Sequence, residues 1–268
     1  MSGKIKFKLI FDLAMFITFI MMYSKNVISM MFHEAAGTAV LCMVLIHLII
    51  NGDWIKAVSK KAFSAETNAR TRALWITDFF LVINTAFLIV TALLVSKKIF
   101  TLTGNHESVN PFHFFAAACF LVLLGIHCGL HFTFIRSSLC AHAGKNVKGV
   151  RIALAVSAVC FAGFGVYNIA ATSYTHWIAA PFVSYEGMEH RHEGEMPGNM
   201  QIQTENASVQ QKGTQVSAQQ NMPLRPQQPP VTAGSILLHF VRFLSIAWLF
   251  AFCAYAVDCL CAKKRLHN

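Results

Sequence analysis

Charged residues are scarce in this sequence. They make up 13% of its 268 residues, about half the ~25% share of an ordinary soluble domain. Acids are the rarer sign, 12 against 22 Lys and Arg. Several motifs are also missing. No Cys-x-x-Cys-His occurs among the eight cysteines, which excludes covalent c-type haem attachment. No four-cysteine iron–sulfur spacing occurs either. There is no Gly-x-Gly-x-x-Gly, so a nicotinamide or flavin module of that type is expected to be a separate protein. The first apolar run continues into Met21-Met22-Tyr23-Ser24-Lys25 with no small-x-small cleavage site. It is expected to be a retained helix and not a signal peptide.

Apolar residues fill the space that charge leaves. The chain is 55% hydrophobic, with a mean hydropathy of +0.51. Six continuous apolar runs stand out, at 8–24, 33–51, 74–96, 112–135, 150–172 and 236–260. A span needs roughly 20 apolar residues to cross about 30 Å of hydrocarbon. Backbone groups in lipid must be satisfied within the segment, so each run is expected to be a helix. The runs are too long and too evenly apolar for barrel strands. The fold class is therefore an all-α integral membrane protein with six transmembrane helices.

Net charge is +10, and its placement speaks for topology, with no nucleic-acid partner expected. Lys4, Lys6 and Lys8 precede the first run; Lys56, Lys60, Lys61, Arg70 and Arg72 lie between the second and third. Arg136, Lys145, Lys148 and Arg151 lie between the fourth and fifth, and Lys263, Lys264 and Arg265 follow the sixth. The opposite side has Lys25, Lys97, Lys98, Arg191, Lys212 and Arg225. The positive-inside rule then expects both termini in the cytoplasm, with 261–268 as a cytoplasmic tail. Residues 186–234 are rich in Gln, Pro, Gly and Ser and are expected to be a disordered extracytoplasmic loop. Its His190 and His192 are expected to be solvated. Most cysteines fall inside the apolar runs, where a free thiol acts as a small apolar side chain.

The first four runs read as a duplicated helix pair. Phe11-Asp12 near the start of run one resembles Thr77-Asp78-Phe79 near the start of run three. Run two opens on Phe32-His33 and reaches Ile46-His47; run four opens on Phe112-His113 and reaches Ile126-His127. A spacing of fourteen is about 21 Å along a helix and about 40° short of four full turns. Both histidines of a run therefore share one face, near opposite edges of the hydrocarbon layer. Runs two and four are parallel, so His33 is expected level with His113 and His47 level with His127. Each level offers two imidazoles, which is the bis-histidine ligation of a b-type haem iron. Residues 1–172 are thus expected to form a di-haem bundle, with a four-helix haem-binding core from the duplicated pair and two further helices.

Other residues carry weaker signals. His131 lies one turn past His127 on the face of His113 and competes with it as ligand. Its repeat counterpart is Asn51, which favours His127, with His131 as a contact to a propionate or water. Gly37, one turn past His33, offers either room for a flat macrocycle or close helix packing; Gly125 has the same two readings. Gly163 and Gly165 are expected at close helix contacts. Arg242 either pairs with a haem propionate or snorkels to the interface. Asp12 and Asp78 are expected to pair with Lys8 and Arg72. Four intramembrane histidines at matched offsets point to function more than to hydrogen-bonded packing.

The words around these histidines resemble a family. His33-Glu34-Ala35-Ala36-Gly37, followed by His47 and then Asn51-Gly52-Asp53-Trp54, is similar to the small flavinylation-associated membrane cytochromes of bacteria. The His spacing alone also resembles cytochrome b of the quinol–cytochrome c reductases. The resemblance covers about residues 5–135. It implies two b haems on His33, His113, His47 and His127 and electron transfer across the inner membrane. It also implies an extracytoplasmic partner protein bearing FMN, with quinone as a further candidate partner. The second repeat departs from the pattern, with Cys128-Gly129-Leu130-His131 in place of the Asn…Trp ending. Two alternatives stay open: a haem membrane subunit resembling ferric reductases, and a non-redox scaffold or transporter with histidines as interhelical links.

Overall fold

The computed structural model describes residues 3–25, 27–96, 99–100, 106–140, 148–183 and 232–265. Residues 184–231, which hold most of the expected polar loop with His190 and His192, lie outside them. The described residues are mostly helical, with no strand among them. The helices are α1 (Gly3–Met22), α2 (Met30–Ile50), α3 (Gly52–Ala62), α4 (Ala69–Val95), α5 (His106–Cys140), α6 (Lys148–Ala171), α7 (Tyr174–Ala179) and α8 (Ala233–Arg265).

Four of them, α2, α4, α5 and α8, have segments long and apolar enough to cross a membrane. In α1, Lys6, Lys8 and Asp12 fall within every stretch of 18 residues, which keeps it out of that group. The fifth run, expected at 150–172, is α6; past its end the chain bends by 59° into the segment Tyr174–Phe182, and Ala155–Ala171 with that segment makes a fifth candidate. The bend falls at Thr172-Ser173, where the Thr172 hydroxyl donates to Asn168 O (2.7 Å) and draws the last turn closed. The last helix continues past the expected end of the span, through Arg265.

Local chemistry sets the helix starts. The Ser29 hydroxyl accepts from Phe32 N (3.1 Å) to begin α2, and Asn68 Oδ1 accepts from Thr71 N (2.8 Å) to begin α4. Asn51 ends α2, donating from Nδ2 to His47 O (2.9 Å) and accepting from Lys8 Nζ (3.2 Å). The chain then turns directly into α3, which the apolar runs do not announce. Asp53 lies in its first turn and Lys60 and Lys61 in its last, a charge order that suits the helix dipole. On α4, Thr85 and Thr91 return their hydroxyls to the carbonyls of Leu81 and Phe87, so buried hydroxyls need no partner on another helix.

Packing centres on α5 and α8. Helix α8 lies against both α5 and α6, α4 lies against α5, and α1 against α2. Glycines form the seams. A Cβ on Gly125 or Gly129 of α5 would collide with the carbonyls of Ala247 or Ala251 of α8, and one on Gly165 of α6 with Ser245 O. Gly125-x-x-x-Gly129 is thus a small-residue interface of the kind that lets membrane helices approach backbone to backbone. This decides Gly125 for helix packing. Gly163, expected at a contact, faces open space.

Helix α5 is also a polar hub. Three successive carbonyls accept from three other segments: Ala116 O from Asn84 Nδ2 (3.0 Å), Ala117 O from the Tyr23 hydroxyl (2.7 Å), and Ala118 O from the Tyr174 hydroxyl (3.2 Å). Alanine side chains leave those carbonyls within reach.

Candidate functional site: the histidine levels

The structure brings His33 and His113 together. Their ring centres are 6.3 Å apart and their planes stand at 82°. Metal–imidazole bonds are about 2 Å and the ring nitrogen lies roughly 1 Å from its ring centre, so two imidazoles across one iron have centres about 6 Å apart. The observed separation fits. The helices that carry these rings are not a closely packed pair: α2 rests on α1 and α3, and α5 on α4, α7 and α8. They meet through side chains at mid-height, where Phe19, Val40, Phe120 and Leu124 form one buried cluster. Val40 and Phe120 are each seven residues from both histidines of their own helix.

Every one of the four histidines has its Nδ1 engaged. His33 Nδ1 donates to Met22 O (2.9 Å). His113 Nδ1 lies 3.2 Å from the Thr91 hydroxyl. The single hydrogen of that hydroxyl has Phe87 O and Leu88 O as acceptors, which leaves its oxygen to accept from a ring protonated on Nδ1. His47 Nδ1 donates to Asp12 Oδ1 (2.7 Å), and His127 Nδ1 to Asp78 Oδ1 (2.6 Å). A proton fixed on Nδ1 leaves the Nε2 lone pair for a metal. Metal-binding histidines commonly make this outer contact, which orients the ring and fixes its tautomer.

The carboxylate contacts correct the expected roles of Asp12 and Asp78. Lys8 turns to Ile50 O and Asn51 Oδ1, and Arg72 to Ser64 O and Ala65 O. The acids are left to the imidazoles. The sequence held a signal for this: an Asp recurs near the start of the helix preceding each histidine helix.

The other level is built differently. His127 is in ring contact with His131 (centres 4.6 Å apart), and His131 packs against Trp54 (5.7 Å). His47 has no ring partner among the described residues. The side-chain donor atoms of Asp78, His127 and His131 lie within 4.8 Å of one another. His131 therefore sits at the site, as its spacing suggested, between His127 and the start of α3.

Of the remaining candidates, Gly37 faces α1: a Cβ there would sit 3.3 Å from Met22 Cε, beside the carbonyl that holds His33. Arg242 is half-buried, its guanidinium forms no ion pair among the described residues, and its carbonyl accepts from Ser245. The described cysteines are all free. His176 lies on α7, and His142 and His267 fall outside the described residues. The chain matches no family model, no curated protein and no solved structure.

Proposed function

We propose that this protein is a b-type di-haem cytochrome that carries electrons across the bacterial inner membrane. The observation that carries it is that four histidines at matched offsets each have Nδ1 within hydrogen-bond distance of an oxygen, an arrangement that with the proton on Nδ1 leaves each Nε2 for a metal. His33 and His113 hold one haem, His47 and His127 the other, and the separation of the first pair supports this. A haem b with two imidazole ligands supplies one-electron transfer at a closed, low-spin iron. The protein's part is to fix the rings, exclude water with the Phe19–Phe120 layer and space the two levels.

The fuller topology belongs to the same proposal. Six spans, counting α1 and the α6–α7 segment, would put both termini on one side, and the Lys and Arg distribution favours the cytoplasm. Electrons then pass between quinol or a cytoplasmic-side donor and an extracytoplasmic partner bearing FMN. The abundance of apolar residues turned outward on α1, α2 and α4, such as Ile10, Ile49, Phe79, Ile83 and Val90, supports lipid contact.

Truncation of single ligands tests the assignment. His33→Ala and His113→Ala should each lower the haem content from two per chain to one while the b-type absorbance of the other persists. Unchanged content in both variants would falsify the ligand set. A second reading is favoured by the Asp78–His127–His131 grouping: a bound metal ion in place of the second haem. It requires one haem and one non-haem metal per purified chain.

A further inference from the structure

The two levels differ in what holds their imidazoles. At the His33–His113 level the acceptors are uncharged, a backbone carbonyl and a threonine hydroxyl. At the His47–His127 level both acceptors are carboxylates, Asp12 and Asp78, at 2.7 and 2.6 Å. The asymmetry is built twice, once on each copy of the repeat.

We infer that Asp12 and Asp78 are positioning residues that lower the reduction potential of the haem at the His47–His127 level below that of its neighbour. This rests on the di-haem assignment. A carboxylate accepting from Nδ1 draws the proton toward itself, raises the basicity of the ring and makes Nε2 a stronger donor. A stronger donor stabilises ferric over ferrous iron, and second-shell hydrogen bonding is one of the protein's levers on haem potential. Two anions close to one iron act in the same direction, through a medium of low dielectric.

Cations near this level make their hydrogen bonds away from the two carboxylates. Lys8 is held on Ile50 O and Asn51 Oδ1, not on Asp12. Arg70 is committed to Asp258, Leu130 O and Thr133. At the other level Lys25 stands over the Phe114 ring at 4.4 Å, next to His113. Glu34, next to His33, accepts from Ser96 and Ile99 N. In a half-reduced protein the single electron therefore rests at the His33–His113 level.

The test is an optical redox titration of the full-length chain in detergent, with dithionite and ferricyanide as titrants. Wild type should give two one-electron steps. His33→Ala, which leaves only the His47–His127 level, should keep the lower step; retention of the upper step overturns the inference. Asp12→Asn and Asp78→Asn preserve an acceptor oxygen and remove the charge. Each should raise the lower step by at least tenfold in equilibrium constant, about 59 mV for one electron, and leave the upper step in place. No movement, or equal movement of both steps, overturns the inference. Should the Asn variants lose haem, the step retained by His33→Ala decides alone. A wild-type chain with no b-type haem refutes the di-haem assignment itself and is told apart by its blank spectrum.

Discussion

His127 and Asp78 lie 2.6 Å apart, imidazole Nδ1 to carboxylate Oδ1, across the interface of α5 and α4. That contact separates His127 from its neighbour His131, which has no such hydrogen bond among the described residues. Metal-binding histidines commonly carry such an oriented Nδ1–H, so under the proposed di-haem reading His127 is the ligand. His127→Ala should therefore remove one haem, while His131→Ala should keep two and shift at most the spectrum of the second. Haem per chain, measured for both, checks this, and the opposite pattern assigns the ligand to His131.

The glycine seam makes a stability prediction. Gly129→Ala puts a methyl group into Ala251 O, and overpacking of this kind costs about 1–3 kcal/mol. Gly163→Ala meets nothing within 4 Å and exchanges a poor helix former for a good one, worth up to about 1 kcal/mol. Thermal unfolding in detergent should show a lower midpoint for the first and an equal or higher one for the second.

Arg70 ties three helices together: its Nε bonds Asp258 of α8, and its Nη2 bonds Leu130 O and Thr133 of α5. Asp258 keeps 9% of its side-chain surface and Arg70 36%. Removal of the guanidinium leaves the more buried partner unpaired. After allowance for screening of the exposed arginine, Arg70→Ala should cost about 1–3 kcal/mol. Arg70→Lys should restore only part of this, because an ammonium cannot span the same fork. Chemical unfolding followed by tryptophan fluorescence measures both.

The charge distribution predicts sidedness. Reporter fusions after Lys61 and after Arg265 should both be active only as cytoplasmic reporters. A fusion at Lys212 should be active only as an extracytoplasmic one.

Much of this was legible in the sequence. Long uncharged runs dictate helices, and a fourteen-residue spacing dictates a shared face; with runs two and four parallel, the ring contact of His33 with His113 follows, whereas the matching contact expected of His47 with His127 is absent among the described residues. The outer contacts were less legible. Met22 holds His33 through a backbone carbonyl, and every residue has one, so no side chain announces it. Asp12 and Asp78 were visible as a repeated acid, but adjacent Lys8 and Arg72 offered competing partners. Only the tertiary arrangement shows those cations satisfied by carbonyls. The bend at Thr172-Ser173 falls where an apolar run ends, with no proline or glycine to announce the short helix beyond it. Helix α3 escaped because it is amphipathic, carries three lysines in 11 residues, and has no long apolar run.

The most direct measurement is the reduced-minus-oxidised spectrum of the purified full-length chain from haem-sufficient cells, with haem counted against protein. Two haems per chain are expected, non-covalently bound, with the bands of b-type iron carrying two nitrogen ligands. Protein that is folded and helical but free of haem contradicts the central claim and leaves the histidines as links between helices.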